Sequence, residues 1–124
     1  MTAAAARTVV QVDFRSRRVE RPTVTATPRL PRVVTTLALA HRVEAMVGSG
    51  ELKDYADAAR VLNLTRARVA QISGLLLLAP EIQEAILDLP MTTGRDAVTE
   101  RQLRRIVVEP DWDVQLQMWR RIHD

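Results

Sequence analysis

The sequence predicts an all-α protein, a compact helical bundle that follows an extended, basic N-terminal arm. Hydrophobic residues make up 47% of the 124 residues, whereas aromatic residues make up only 3%. A core of Leu, Val, Ile and Ala suits packed helices, and apolar residues recur at helical spacing from residue 33 onward. The predicted regions are the arm (1–32), a helical core (33–90) and C-terminal helices (91–124).

Charge is divided unevenly between the arm and the rest of the chain. Residues 1–32 hold seven arginines against two acidic residues, a net charge of +5, whereas residues 33–124 have a net charge of −2. A segregated basic arm indicates a polyanionic partner. Because GC-rich coding also favours arginine, this expectation depends on where the arginines lie and not on their number.

Several classes of chemistry lack the residues that they need. The chain contains no cysteine, which excludes disulfides, thiolate zinc sites and a cysteine nucleophile. It contains no phosphate-binding loop, serine-hydrolase motif or zinc-ligand spacing, so we expect no enzyme, no cofactor and no metal. No apolar run reaches the roughly 20 residues that cross a bilayer. We therefore expect a cytoplasmic, nucleoid-associated protein that does not bind membranes.

The first predicted helix covers residues 33–47, and the Gly48–Gly50 segment ends it. A second helix begins at Asp54, whose side chain can cap the free amides of the first turn. Asn63 breaks the helical pattern because asparagine tolerates the left-handed conformation better than most residues.

Caps and prolines predict the later helices. Thr65 caps the third, and Pro80 suits the first turn of the fourth. Thr99 and Gln102 form a capping box that begins the fifth, and Asp111 caps the sixth. These helices are predicted at residues 65–78, 80–89, 99–108 and from 111 onward.

Residues 54–77 have the spacing of a helix-turn-helix. Ala59 is the small residue that lets two helices cross closely, and Asn63 follows four positions later in the turn. Three apolar residues then pack the second helix of the motif against the first: Leu64, Val69 and Ile72.

At about 100° per residue, the helix after Thr65 turns Val69, Ile72 and Leu76 inward and a polar, small-residue side outward. The second helix of a helix-turn-helix can enter the major groove of DNA. There an arginine such as Arg66 pairs with guanine and a glutamine such as Gln71 pairs with adenine, each through two hydrogen bonds. Thr65, at the start of the helix, suits a contact with a DNA phosphate. Arg68 suits either a phosphate contact or a structural ion pair. The predicted DNA-binding residues are Thr65, Arg66, Ala67, Arg68, Ala70, Gln71 and Gly74 in this helix, with Arg15, Arg17 and Arg18 in the arm.

Three segments of this region, residues 54–59, 64–72 and 77–83, resemble the helix-turn-helix domain of ParB-type partition proteins, including the KorB-like repressors. The resemblance implies sequence-specific binding of duplex DNA, with the Thr65 helix in the major groove. Asn63 stands where the family usually has Gly, and Thr65 where it has Ser. No segment resembles the family's nucleotide-binding domain, so we do not expect a nucleotide-driven clamp. The chain is similar to short ParB-like proteins of mobile elements and phages, which implies a repressor or an accessory factor of a recombinase.

The residues outside this motif leave several alternatives open. Leu75–Leu78 cover every side of a helix, so we expect other helices to surround them. A stripe on the last helix forms either core or a dimer interface, and we expect a homodimer on DNA; the stripe consists of Trp112, Leu116 and Trp119. An arginine edge on the fifth helix contacts either a phosphate or the acidic fourth helix; it consists of Arg101, Arg104 and Arg105, opposite Glu81, Glu84 and Asp88.

A different functional class is also compatible with the sequence. In this alternative the protein is an interaction adaptor, in which the helix pair is a scaffold and the arginine-rich arm docks an acidic partner. The two histidines, His41 and His123, lie in separate predicted helices. We expect His41 to be packed or hydrogen-bonded and not to bind a metal.

Overall fold

The computed structural model describes residues 27–123, and this range contains six α-helices and no strand. The helices are α1 (Arg32–Ser49), α2 (Tyr55–Leu62), α3 (Arg66–Gly74), α4 (Pro80–Leu87), α5 (Glu100–Val107) and α6 (Trp112–His123), with a 3₁₀ turn at Leu75–Leu77. The all-α prediction is confirmed. The predicted arm contacts of Arg15, Arg17 and Arg18 lie outside the described residues. Across residues 27–123, no helix combines the length and the apolar composition that a membrane crossing requires.

Side-chain caps begin four of the helices where the sequence predicts them, and in the last of these Asp111 Oδ1 accepts a hydrogen bond from the Asp113 amide at 2.9 Å. Asp54 Oδ1 accepts a hydrogen bond from the Asp57 amide at 2.9 Å, and Thr65 Oγ1 accepts one from the Arg68 amide at 3.0 Å. Thr99 forms a complete capping box at the start of α5. Each cap satisfies an amide that has no partner within its helix, so these helix starts follow from local sequence.

The turn between α2 and α3 depends on Asn63, whose φ of 59° and ψ of 44° are left-handed. The Leu64 amide donates to the Ala59 carbonyl at 2.9 Å, and the Asn63 amide donates to the Arg60 carbonyl at 3.3 Å. This bonding pattern is a Schellman motif, which usually has glycine at the left-handed position. The predicted conformation of Asn63 is confirmed.

Two separate clusters of buried residues form the interior. The large core joins α1 to the C-terminal helices and includes Leu37, Leu75, Leu78, Ile82, Ile86, Leu103, Ile106 and Trp119. The small core lies under α2 and α3 and consists of Val43, Leu52, Ala58, Ala59 and Val69. Helix α1 contributes to both, because Leu37 lies in the large core and Val43 in the small one.

Gln115 is a buried polar residue that ties α6 to the segment after α3. Its side chain is 1% exposed, and its Oε1 accepts from the Ala79 amide at 2.7 Å. Its Nε2 donates to the Glu109 carbonyl at 2.7 Å and to the Leu77 carbonyl at 3.3 Å. The amide group therefore satisfies three backbone groups where the chain leaves the helical pattern.

The structure corrects the prediction for the four leucines after Gly74. Helix α3 ends at Gly74, before Leu78, and a 3₁₀ turn follows. Leu75 and Leu78 are fully buried, but Leu77 is 62% exposed. The tighter 3₁₀ turn and the extended backbone of Leu78 change the direction of successive side chains, so the prediction that all four are surrounded is wrong for Leu77.

The N-terminal boundary of the folded part also differs from the prediction. The backbone of Arg29 pairs with that of Thr92 through hydrogen bonds of 2.9 and 2.8 Å. The Arg29 guanidinium lies 3.0 Å from an Asp96 carboxylate oxygen, and Pro31 is buried. Residues 29–32, which the sequence assigned to the arm, thus belong to the folded bundle.

The C-terminal stripe on α6 contributes to the core of its own chain. Trp119 is 6% exposed within the large core, and Leu116 packs against it. The ring of Trp119 stacks on that of His123 with centroids 4.8 Å apart. Trp112, in contrast, is 51% exposed. Of the two alternatives for this stripe, core is confirmed for Leu116 and Trp119.

Candidate nucleic-acid interface

Helix α3 has one buried side and one exposed side. Val69 and Ile72 are 1% and 4% exposed. The exposed residues on the other side are Arg66, Ala67, Ala70 and Gln71, which together we call the α3 outer face. The inward and outward directions predicted from helical periodicity are confirmed at these positions, and no part of residues 27–123 buries this face.

Small residues in α2 hold α3 in this position. Ala58 is fully buried and Ala59 is 4% exposed, and both belong to the small core with Val69. A methyl side chain at Ala59 permits a close approach of the two helices, as the sequence predicts. Leu64, however, is 37% exposed, so it is not fully buried as its predicted packing role requires; the turn leaves it at the surface.

Two other predicted DNA-binding residues, Thr65 and Gly74, already have neighbours within the protein. Thr65 is exposed, and its hydroxyl oxygen already accepts the capping hydrogen bond from Arg68. Gly74 is half-buried, and a Cβ atom built on it would lie 4.0 Å from Val107 Cγ1 of α5. Gly74, which the sequence predicts on the exposed side of the helix, is therefore half-buried and lies beside α5.

Arg68 forms an ion pair with Glu100, the first residue of α5. Its Nη1 donates to Glu100 Oε2 at 2.6 Å, and its Nη2 donates to Glu100 Oε1 at 2.9 Å. The hydrogen bonds raise the pKa of Arg68 and hold the pKa of Glu100 below its usual value, against the opposing effect of burial. Of the two alternatives for Arg68, the structure contains the ion pair.

The same arginine contacts the α3 outer face. Arg68 Nη1 also donates to Gln71 Oε1 at 3.2 Å, one turn further along α3. Gln71 is exposed, so this bond fixes one end of its amide group while the other end faces solvent. The ion pair therefore reaches the surface that the sequence predicts for DNA binding.

Sequence reasoning missed Glu100 as a neighbour of α3. Residues 58–80 contain no acidic residue, and the sequence therefore predicted a surface free of negative charge. The structure brings the Glu100 carboxylate to Arg68 across 32 positions of the chain. The capping box places Glu100 at the start of α5, but nothing local indicates which helix that end of α5 meets.

One member of the arginine edge on α5, Arg104, pairs within its own helix. Arg104 Nη1 donates to Glu100 Oε2 at 2.9 Å, within its own helix. Pairing of Arg104 with the acidic residues of α4 is therefore wrong. The members of the acidic group on α4 are all exposed, as expected of a solvated face: Glu81, Glu84 and Asp88.

Polar side chains also meet between α1, α2 and α4. His41 Nε2 lies 2.8 Å from Gln83 Oε1, so the predicted hydrogen-bonded histidine is confirmed, although its ring is exposed. The Tyr55 hydroxyl donates to Glu44 Oε1 at 2.5 Å, and this bond, together with burial, raises the pKa of Tyr55.

Within residues 27–123, no group of three His, Asp or Glu side chains is arranged to hold a metal ion.

Comparisons with protein-family models, with curated proteins and with solved structures found no match. The function is therefore argued from the geometry and chemistry of the α3 outer face.

Proposed function

We propose that this protein binds duplex DNA in a sequence-specific manner and that α2 and α3 act as a helix-turn-helix, with α3 in the major groove. The observation that carries the proposal is the α3 outer face. It presents an arginine and a glutamine, the two residue types that read guanine and adenine, and no part of residues 27–123 covers it.

The small residues of this face support entry into a groove. Ala67 and Ala70 are exposed methyl side chains between Arg66 and Gln71. A helix with short side chains on its outer side can lie deep in a major groove about 12 Å wide. Longer apolar residues on this face would instead suit a protein partner.

Charge at the start of α3 also supports the proposal. Thr65 caps the helix, and helix N-termini favour phosphate oxygens through their free amides and their dipole. Arg66 lies in the first turn of α3, and it forms no ion pair within residues 27–123. Arg68 is different, because Glu100 neutralises it; we therefore assign direct contacts to Arg66 and not to Arg68.

The test compares two substitutions on the α3 outer face with one elsewhere. Arg66→Ala and Gln71→Ala should each weaken binding of a selected duplex by about 1–3 kcal/mol and relax the preference at one base pair. Arg120→Ala on α6 removes another exposed arginine and should leave that preference unchanged. Binding is measured by fluorescence anisotropy on cognate and random duplexes at several salt concentrations.

The outcome separates this proposal from the adaptor alternative. An adaptor would bind DNA weakly through charge alone, so salt would abolish its binding and cognate and random duplexes would behave alike. Equal losses on both duplexes for Gln71→Ala would contradict base reading.

We also expect a homodimer on two half-sites and a role as repressor or as accessory factor of a recombinase. Genome-wide footprinting measures the spacing and location of the sites.

A further inference from the structure

A chain of hydrogen bonds connects α5 to the α3 outer face. Glu100 accepts both ends of the Arg68 guanidinium at 2.6 and 2.9 Å, and Arg68 Nη1 donates to Gln71 Oε1 at 3.2 Å. The Glu100 side chain is only 17% exposed, and that of Arg68 is 36% exposed. Two parallel hydrogen bonds to one carboxylate fix the plane of the guanidinium. The group that donates to Gln71 is therefore itself fixed in orientation.

This arrangement determines which end of the Gln71 amide faces solvent. A guanidinium group only donates hydrogen bonds, so the atom that faces Arg68 must be the oxygen of Gln71. The amide nitrogen then points away from Arg68, and it makes no hydrogen bond within the described part of the chain. A glutamine without such a partner rotates about its last torsion, which has broad minima, and can present both its oxygen and its nitrogen.

The orientation of the amide changes the base that Gln71 fits. Adenine offers an acceptor and a donor in the major groove, so it pairs with a glutamine that presents oxygen and nitrogen together. Guanine offers two acceptors, N7 and O6, and thus matches a group that presents donors only. With its oxygen turned toward Arg68 and its nitrogen turned away, Gln71 presents its N–H donors on the side away from Arg68.

We propose that Glu100 is a positioning residue that, through Arg68, turns Gln71 into a hydrogen-bond donor and so sets a preference for guanine over adenine at the base pair that Gln71 contacts. This inference rests on the proposed function of the α3 outer face. The expected preference for guanine replaces the pairing with adenine that a glutamine without this hydrogen bond would make.

The first test uses two methionine substitutions that act on the same carboxylate. Arg68→Met and Arg104→Met each remove one arginine that pairs with Glu100. Only Arg68→Met also removes the hydrogen bond to Gln71. Sites are selected from a randomised duplex library, and the relevant position is the one at which Gln71→Ala loses its preference. Wild type and Arg104→Met should prefer guanine there by about five-fold or more, and Arg68→Met should lose or reverse this preference.

A substitution of Glu100 itself separates positioning from general stabilisation. Glu100→Ala leaves Arg68 in place without its anchor, and it should shift the base preference in the same direction as Arg68→Met. Thermal unfolding identifies variants that are folded at the temperature of the binding assay. A role confined to holding α5 against α3 would lower the melting temperature without changing the base preference, and that result would overturn the proposal.

The second test needs no DNA. In the free protein, the ¹⁵N side-chain amide signal of Gln71 should move in folded Arg68→Met and stay unchanged in Arg104→Met. An unmoved signal in Arg68→Met would contradict the hydrogen-bond chain, and a wild-type preference for adenine would contradict its effect on base choice. A wild-type protein that selects no sequence contradicts the proposed function, and the NMR measurement then still decides whether Arg68 orients Gln71.

Discussion

The two cores of this protein are built from different residues and lie in different parts of the helical bundle. The large core contains fully buried Leu and Ile side chains from α1, α4, α5 and the 3₁₀ segment. The small core contains mainly Val and Ala, and it lies directly beneath α2 and α3. The helix pair that carries the candidate DNA surface is thus held by close backbone approach, whereas the bulk of the buried volume lies elsewhere.

This difference predicts that the two cores contribute unequally to stability and to the position of α3. Burial of large apolar side chains stabilises a fold roughly in proportion to the area removed from water, so the large core should dominate the free energy of unfolding. Small residues contribute less buried area but define how near two helices lie. The small core should therefore control the position of α3 more than the overall stability.

The largest expected effect comes from the large core. Leu78 is fully buried, so Leu78→Ala should lower the free energy of unfolding by about 2–5 kcal/mol, because it removes buried methyl groups and leaves a cavity. The neighbouring Leu77 is 62% exposed, and Leu77→Ala should change this free energy by less than about 0.5 kcal/mol. Chemical denaturation followed by circular dichroism measures both; similar losses for the two would remove the distinction drawn between these leucines.

An intermediate effect is expected in the small core. Ala59→Leu adds volume where α2 and α3 approach, which should cost about 1–3 kcal/mol of stability and displace α3. Ala67→Leu makes the same substitution on the α3 outer face, where the side chain is exposed. It should leave stability nearly unchanged and weaken DNA binding, because the leucine prevents close approach to the groove. The comparison fails if Ala59→Leu is as stable as wild type.

The smallest effect concerns the ion pair beneath α3. Because Arg68 lowers the pKa of Glu100 in the folded protein, the charged carboxylate stabilises the fold above the unfolded pKa of about 4.3. This contribution is lost as the pH falls through the lowered, folded pKa. Glu100→Gln should therefore be less stable than wild type at pH 7, by about 1 kcal/mol or less for a partly exposed pair, and the difference should shrink in acid.

The control for this prediction is Glu84→Gln on α4. Glu84 is exposed and forms no ion pair within residues 27–123, so its substitution should give a much smaller difference at pH 7. Thermal unfolding between pH 3 and pH 7 measures both variants. A Glu100→Gln difference that grows as the pH falls would reverse the sign of the expected linkage.

Local sequence predicted most of the helices because their signals act within one turn. The caps at Asp54, Thr65 and Thr99 and the left-handed turn at Asn63 involve partners three to five positions away. The outward direction of Arg66 and Gln71 follows from helical periodicity once Val69 is buried. These features required no knowledge of how the helices pack.

Predictions from the sequence were wrong where the structure depends on contacts between segments that are distant in the chain. The bridge from Arg29 to Thr92 and the exposure of Leu77 both depend on how segments far apart in the chain meet. Helical periodicity predicted four surrounded leucines, but the hydrogen bonds of Gln115 stabilise a different backbone path at that point. No local pattern in residues 75–79 indicates this distant partner.

The sequence by itself determined the helices, their caps and the face that α3 turns outward, because those depend on backbone propensity and on the spacing of apolar residues. Only the tertiary structure decided that Arg68 pairs with Glu100 and contacts Gln71, because that choice depends on where the start of α5 packs against α3. A guanidinium takes whichever acceptor the fold brings near it, and chain distance places no limit on that choice.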